Sequence, residues 1–134
     1  MGLHRLLSTG AAGDIGTALR SNDQLRVGDL VPIDSLWEGE ESVIADIRDL
    51  SAMEEAASGM DAIVPLAGHR EGTIPRDQCF EVNMGGTYHV LEAARCQGVR
   101  WVVFASSNHV TGFYEQEGEF TRPNMPLART VFTV

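Results

Sequence analysis

The stretch Thr9-Gly10-Ala11-Ala12-Gly13-Asp14-Ile15-Gly16 decides the fold, because it sets three glycines at intervals of three residues. The apolar run at residues 3–8 precedes it, and Ile15, Ala18 and Leu19 continue it at helical spacing. Glycines between a buried strand and a helix allow a tight turn, a close approach of the backbone to a pyrophosphate, and close packing of the helix on the sheet. The stretch therefore predicts the first strand, phosphate-binding turn and first helix of a dinucleotide-binding domain.

Four more short apolar segments are each predicted to be a strand: residues 25–29, 42–46, 62–67 and 101–105. Helices are predicted over residues 14–21, from Ser51 as the N-cap to Gly59, and over 77–97. Short apolar strands that alternate with helices form parallel sheets with right-handed crossovers. The sequence therefore predicts an α/β fold over residues 1–127, a Rossmann-type doubly wound parallel sheet of about five strands in the order 3-2-1-4-5.

Two details of these predicted elements bear on packing. The helix over 77–97 has an apolar face that consists of Phe80, Met84, Tyr88, Leu91 and Ala94. In the strand over 62–67, Pro65 is unusual for a central position, because proline has no N–H to donate to a neighbouring strand.

The sequence distance between the glycine turn and an acidic residue favours dinucleotide binding. Asp29 ends the second strand, 19 residues after Gly10. In dinucleotide-binding domains a carboxylate about 20 residues beyond the first glycine accepts hydrogen bonds from the adenosine ribose. Such a carboxylate repels a 2′-phosphate, so NAD is predicted rather than NADP. Asp46 and Ile47 end the third predicted strand, where their position favours contact with the adenine edge.

Composition narrows the function classes. The chain has a net charge of −9, and all ten of its basic residues are arginine. Because nucleic-acid binding needs clustered cations, nucleic acid is not an expected partner. No apolar run approaches the roughly 20 residues of a membrane span, and the short segment before the glycine turn leaves no room for a signal peptide, so a cytoplasmic protein is expected. The histidines and cysteines lack metal-ligand spacing, and no metal site is expected.

Four segments resemble a known family: TGAAGDIG (residues 9–16), PLAG (65–68), NMGGTYHVLEAA (83–94) and VVFASSNHVTGFY (102–114). They resemble the extended short-chain dehydrogenase/reductases, and SSNHVTGFY is most similar to the uronate dehydrogenases. Those enzymes oxidise the anomeric carbon of a hexuronic acid to an aldarolactone and pass the hydride to NAD. The resemblance runs from about residue 3 to residue 126. It implies an NAD-dependent oxidoreductase with a small sugar acid as substrate.

The resemblance also implies roles for individual residues. The pyrophosphate would be bound by Gly10, Gly13, Asp14, Ile15 and Gly16, and the adenosine half by Asp29, Asp46 and Ile47. The nicotinamide side would be lined by Leu66, Ala67, Gly68 and Asn83, although for Asn83 a helix-stabilising role is equally open. Ser107 would be catalytic by orienting the substrate hydroxyl, and the sugar acid would contact Ser107, Asn108 and His109.

One part of the family's chemistry is missing from this sequence. The family uses a Tyr-x-x-x-Lys pair, in which the lysine lowers the pKa of the tyrosine base. This sequence has no lysine, and the lysine position is occupied by Gly118 after Tyr114 and by Glu92 after Tyr88. We therefore expect a truncated relative that lacks the C-terminal part of the domain, binds NAD, and is inactive or impaired.

Residues 128–134 are expected to be a tail that does not belong to the family. Relatives continue with a sequence such as Gly-Pro-Asp-Ser-Leu-Tyr-Gly. Codons for that string, shifted by one base, encode Ala-Arg-Thr-Val-Phe-Thr-Val, which is the sequence of residues 128–134. We hypothesise a frameshift at this point, and resequencing of the DNA tests it.

Two other functions stay open: a fragment of a nucleotide-sugar epimerase or dehydratase, and a non-catalytic dinucleotide-binding module. NAD binding without hexuronate-dependent formation of NADH, even when the missing segment is restored, would favour the module. If the elements that cover the fifth strand are missing, Trp101 and Val103 are exposed. Exposed apolar surface of this kind favours association, so a homo-oligomer is expected.

Overall fold

The sheet is parallel and has the predicted strand order. The computed structural model describes residues 5–20, 24–70 and 73–106. Within these ranges five strands lie side by side in the order β3-β2-β1-β4-β5. They are β1 (Leu6–Thr9), β2 (Leu25–Asp29), β3 (Glu40–Ile44), β4 (Ala62–Pro65) and β5 (Trp101–Val102). The predicted α/β fold class and Rossmann-type topology are confirmed.

The third strand begins and ends two residues earlier than predicted. It spans Glu40–Ile44 and pairs with β2 from Leu25↔Glu40 to Asp29↔Ile44. It lies at one edge of the sheet formed by the described strands. Charged side chains are common on edge strands, so Glu40 and Glu41 are compatible with this position although they lack β propensity.

The fifth strand is shorter than the predicted 101–105, and Pro65 explains why. Alternate residues of a strand direct their N–H groups to opposite neighbours. Leu66 donates to the Thr9 carbonyl at 3.1 Å, toward β1, so Pro65 faces β5. The Ile63 carbonyl accepts from the Val103 N–H at 2.9 Å, and the next donor on that side would be the N–H that Pro65 lacks. Regular pairing between β4 and β5 therefore ends at Ile63↔Val102.

The helices are α1 (Asp14–Leu19), α2 (Leu50–Ala57), α3 (Arg76–Cys79) and α4 (Thr87–Gln97). A π-helical segment, Phe80–Gly86, joins α3 to α4, so the prediction of one regular helix over 77–97 was wrong in this detail. Two adjacent glycines, Gly85 and Gly86, weaken the helix at the end of that segment. The Thr87 hydroxyl also donates to the Asn83 carbonyl there, and such insertions into the backbone ladder accompany π-helical turns.

Helix α2 is capped by Asp49, and the prediction of Ser51 as its N-cap was wrong. The Asp49 carboxylate accepts from the backbone N–H groups of Ser51 at 2.9 Å and Ala52 at 3.2 Å. These are two of the donors that the first turn of a helix leaves unpaired. Because Asp49 stands two residues before Ser51 and satisfies them, the helix begins at Leu50.

Within the described ranges, the larger buried cluster lies on the face of the sheet covered by α2 and α4, and we call it the major core. Its eleven residues are Leu7, Ala45, Ile47, Met53, Ala56, Ala57, Met60, Ile63, Val90, Ala93 and Ala94. Leu7 on β1 belongs to this core. Because side chains alternate along a strand, its neighbour Leu6 points to the opposite face of the sheet. There it packs on a smaller cluster of Ala11, Leu25 and Val27, which we call the minor core.

The apolar face predicted on the 77–97 helix lies mostly in solvent. Phe80, Met84 and Tyr88 are each 61% exposed and Leu91 is 47% exposed, whereas Ala94 is buried. The buried side of α4 is formed instead by Val90, Ala93 and Ala94, which belong to the major core. No helix in the part of the chain that the structure describes is long and apolar enough to cross a membrane.

Candidate functional site

A cleft of about 520 Å³ opens at the carboxyl ends of the central strands. In open parallel sheets, ligands bind at this edge, where the strand order reverses. Eight of the predicted cofactor residues line the cleft: Gly10, Gly13, Asp29, Asp46, Ile47, Leu66, Ala67 and Gly68. The fold thus brings together residues from four separate loops of the sequence.

The first glycine of the turn is required by its backbone and by its neighbours. Gly10 has a φ of +67°, in the left-handed region that glycine adopts without strain. A Cβ at Gly10 would lie 2.6 Å from the backbone nitrogen of Ala67. The end of β1 therefore approaches the loop after β4 so closely that no side chain fits between them.

Of the other two glycines, one faces the cleft and one packs inside the turn. Gly13 lines the cleft, and its N–H donates to the Gly10 carbonyl at 3.1 Å. A Cβ at Gly16 would lie 2.6 Å from the Ala11 Cα, so Gly16 lets α1 lie against the turn.

Two other predicted cofactor residues, Asp14 and Ile15, do not line the cleft. Ile15 is 60% exposed, and Asp14 forms an exposed ion pair with Arg70 at 2.7 Å.

The Asp29 carboxylate joins the second strand to the glycine turn. One of its oxygens accepts from the Ala12 N–H at 3.0 Å, and the other accepts from the Leu30 N–H at 2.7 Å. Each carboxylate oxygen can accept more than one hydrogen bond, so both retain capacity for a further donor. The structure therefore holds a negative charge at the tip of β2, beside the turn.

The second carboxylate of the cleft, Asp46, is held by Arg48. The Arg48 guanidinium donates to both carboxylate oxygens, with Nη2 to Oδ2 at 2.6 Å, and the Arg48 N–H donates to Oδ1 at 2.9 Å. The hydrogen bonds from the Arg48 side chain lower the pKa of Asp46, against a smaller opposing effect of burial. Asp46 is therefore ionised and fixed in orientation at neutral pH.

Asn83 holds the loop that follows β4. Its Oδ1 accepts from the His69 N–H at 2.7 Å, and its Nδ2 donates to the His69 carbonyl at 2.8 Å. A Cβ at Gly68 would lie 3.1 Å from Asn83 Oδ1, so the loop passes close over the π-helical segment. Both ends of the Asn83 amide are thus engaged by backbone, and the side chain fixes Leu66, Ala67 and Gly68 in the cleft wall.

Other lining residues were not predicted: Ala12, Leu30, Ala45, Arg48, His69 and Val82. A signal existed for Arg48, because arginine two residues after a strand-terminal aspartate is placed to pair with it. Val82 comes from the π-helical segment and had no signal in the periodicity. The predicted catalytic and substrate residues Ser107, Asn108 and His109 lie outside the described residues.

Several dehydrogenases are similar to this chain. Uronate dehydrogenase of Pseudomonas putida is 38% identical over 124 residues, which cover 85% of this chain and 44% of that enzyme. L-arabinose 1-dehydrogenase (NAD(P)(+)) of Haloferax volcanii is 42% identical over 124 residues, 89% of this chain and 46% of that enzyme. A crystal structure of a uronate dehydrogenase mutant from Agrobacterium tumefaciens, complexed with NAD, matches with a TM-score of 0.74 at 39% identity. The matched region covers 81% of this chain and 43% of the chain in that crystal structure.

The chain therefore spans less than half the length of these relatives. A family match extends over most of it: residues 8–126 match the 3-beta hydroxysteroid dehydrogenase/isomerase family. The match includes the glycine turn, both carboxylates of the cleft and the loop held by Asn83. The resemblance predicted from the sequence is confirmed, and the chain belongs to the 3-beta hydroxysteroid dehydrogenase/isomerase family.

Proposed function

We propose that the chain binds NAD in the cleft and forms the nucleotide-binding part of an oxidoreductase of the uronate dehydrogenase type. The observation that carries the proposal is the junction of Asp29 with the glycine turn, where the carboxylate accepts from the Ala12 N–H at 3.0 Å. This junction sets a carboxylate suited to bind the ribose beside a turn whose cleft lining is Gly10, Ala12 and Gly13, which carry no side chain larger than a methyl group. The relative crystallised with NAD supports the same cofactor.

The cleft fits a dinucleotide in shape and charge. Gly10 and Gly13 have no Cβ, so at these two positions a pyrophosphate can approach the backbone closely. Asp29 accepts hydrogen bonds from ribose hydroxyls and repels a 2′-phosphate. Asp46 and Ile47 line the adenine side, and Leu66, Ala67 and Gly68 line the nicotinamide side. When bound there, NAD supplies a hydride acceptor.

The substrate that we propose is a small sugar acid. Uronate dehydrogenases are among the similar proteins, and Ser107, Asn108 and His109 carry the hydroxyl, amide and imidazole groups that would contact the sugar. A tyrosine base has an ordinary pKa near 10 and needs a cationic neighbour to act at neutral pH. Because these 134 residues contain no lysine, we propose that they bind NAD but oxidise a hexuronate poorly without further residues.

Calorimetric titration with NAD and NADP tests cofactor binding. We expect NAD to bind at least about tenfold more tightly than NADP, and Asp29→Asn to weaken NAD binding about tenfold, since a hydrogen bond to a charged group is lost. Asp34→Asn is the matched control, because Asp34 is an exposed aspartate outside the cleft lining. Absence of NAD binding, or equal effects of the two substitutions, would contradict the proposal.

An absorbance assay of NADH formation with glucuronate and galacturonate tests the reaction. We expect slow or undetectable turnover by the 134-residue chain under conditions in which a full-length uronate dehydrogenase is active. NAD binding without turnover is also the property of a non-catalytic dinucleotide module, with which the lack of lysine is equally compatible. Hexuronate-dependent protection of the NAD complex from thermal unfolding would support the oxidoreductase, and its absence would support the module.

We also propose that the chain associates with itself at the β5 edge of the sheet. Trp101 on β5 is 60% exposed and Val103, the residue after β5, is 61% exposed, and the outer side of β5 has no neighbour among the described strands. Exposed apolar edge strands pair readily with other strands. A second copy of the chain is the proposed occupant, since it offers the same unpaired edge.

A further inference from the structure

We propose that His89 is a positioning residue of the cleft, which fixes the turn that carries Asp46 and Ile47 by a hydrogen bond to the Ile47 carbonyl. The inference rests on the proposed binding of NAD, because its consequence is the affinity for the adenine half of the cofactor. His89 lies on α4 and does not line the cleft, so it would act through Ile47 and would not contact the nucleotide.

The hydrogen bond joins two elements that are distant in the sequence. The His89 Nδ1 lies 3.0 Å from the Ile47 carbonyl oxygen, across 42 residues of sequence. A carbonyl oxygen only accepts, so Nδ1 carries the proton and donates. The His89 side chain is half-buried, and Ile47 is only 6% exposed. The bond is thus partly shielded from competition with water, which increases its contribution.

A second residue on the same side of the helical segment, Gly86, also lies close to Ile47. Gly86 stands three residues before His89, and residues three apart share a helix face. A Cβ at Gly86 would lie 2.7 Å from the Ile47 Cγ1 and 3.3 Å from its Cβ. The missing side chain of Gly86 therefore receives the Ile47 side chain, while His89 holds the Ile47 carbonyl. Two contacts on opposite parts of one residue fix both its position and its rotation.

Fixing Ile47 also fixes the residue before it. Asp46 and Ile47 both line the cleft, and the turn closes with the Asp49 N–H donating to the Asp46 carbonyl at 2.9 Å. Arg48 orients the Asp46 carboxylate within this turn, and outside the turn its guanidinium reaches Glu81 only through a long, solvent-exposed ion pair of 3.9 Å. His89 supplies the shorter and less exposed tie, at 3.0 Å, so its loss would let the adenine wall move relative to Asp29 and the glycine turn.

Two variants separate the hydrogen bond from packing. His89→Asn keeps a donor, because the asparagine Nδ2 takes nearly the place of the histidine Nδ1. His89→Leu keeps a side chain of similar bulk but donates nothing. Calorimetry with NAD, AMP and NMN then reports on the whole cofactor, its adenine half and its nicotinamide half.

We expect His89→Leu to weaken NAD and AMP about tenfold and to leave NMN within about twofold, and His89→Asn to bind all three within about threefold of the unsubstituted chain. Amide hydrogen exchange without nucleotide should become faster at residues 46–49 in His89→Leu and stay unchanged in His89→Asn. Unchanged AMP affinity and exchange in His89→Leu, or equal losses in both variants, would overturn the inference. If the unsubstituted chain binds neither NAD nor AMP, the proposed function itself fails, which is a different result.

Discussion

The two faces of the sheet are stabilised in different ways. Within the described residues, the major core contributes eleven buried apolar residues beneath α2 and α4, whereas the minor core contributes three. The minor-core side adds an ion pair instead: Arg20, at the end of α1, donates to Glu40, with side-chain exposures of 8% and 0%. Arg20 also lies over the Trp37 ring, with 5.4 Å between its Cζ and the ring centroid. One face is thus stabilised mainly by apolar contact, and the other depends partly on charge.

The largest effect is expected in the major core. Met53 on α2 is completely buried, so Met53→Ala leaves a cavity among closely packed side chains. Substitutions of this kind cost 2–5 kcal/mol, and we expect about 3–4 kcal/mol here. Urea unfolding followed by circular dichroism measures the loss. Glu55→Ala on the exposed side of the same helix is the control and should change stability by less than about 0.5 kcal/mol.

The equivalent substitution in the minor core should cost less. Leu25 is 3% exposed on β2, but its cluster is small and lies near solvent-exposed loops that can relax into the space. We expect Leu25→Ala to cost about 2 kcal/mol, the low end of the range for such changes. The same urea titration measures it. A loss equal to or greater than that of Met53→Ala would mean that the two faces do not differ in the way described.

Acid should weaken the minor-core side selectively, through Glu40. The hydrogen bond from Arg20 holds the pKa of Glu40 below its ordinary value of 4.5. A carboxylate with a lowered pKa stabilises the fold fully above its unfolded pKa, and this stabilisation is lost as pH falls through the folded pKa. We expect Glu40→Gln to cost about 1–2 kcal/mol at pH 7, between the values for exposed and deeply buried pairs.

Denaturant titrations at several pH values check this expectation. The difference in unfolding free energy between the unsubstituted chain and Glu40→Gln should shrink below about pH 4.5 and vanish once Glu40 is protonated in the folded state. Glu41→Gln is the control, because its ion pair with Arg26 involves a carboxylate that is 61% exposed. A constant difference across the acid range would show that charge on Glu40 does not stabilise this face.

The smallest effect on stability is expected at the edge of the sheet. Trp101 is 60% exposed, and threonine has high β propensity, so Trp101→Thr should change the unfolding free energy by less than about 0.5 kcal/mol. If the β5 edge mediates self-association, the same variant should shift sedimentation toward the monomer. Trp37→Thr is the control, because Trp37 precedes the strand at the opposite edge. An unchanged sedimentation profile in Trp101→Thr would contradict the proposed association.

The sequence predicted the features that backbone rules determine. The glycine turn follows from the spacing of Gly10, Gly13 and Gly16, and a φ of +67° at Gly10 is the conformation such a turn needs. Strand order follows from the alternation of apolar strands with helices. The position of Asp29 beside the turn could be predicted because one helix and one strand of ordinary length separate it from the glycines.

The features that were missed depend on contacts between distant parts of the chain. The apolar spacing of Phe80, Met84 and Tyr88 predicts a single regular helix with these residues on its buried side. Which side of α4 is buried depends on its packing against α2, and there the structure buries Val90, Ala93 and Ala94. The π-helical segment is accompanied by bonds between Asn83 and His69, 14 residues apart. The bond from His89 to Ile47 leaves no periodic signal, because it joins a helix to a turn 42 residues away.

Pro65 has a consequence for the space around the cleft. Neighbouring strands stay about 4.8 Å apart only while hydrogen bonds join them. The last such hydrogen bond between β4 and the chain after β5 is the one from the Val103 N–H to the Ile63 carbonyl at 2.9 Å, since Pro65 has no N–H to continue the ladder. The missing N–H of Pro65 therefore ends regular pairing on that side of β4 just before the chain reaches Leu66, Ala67 and Gly68, which line the cleft.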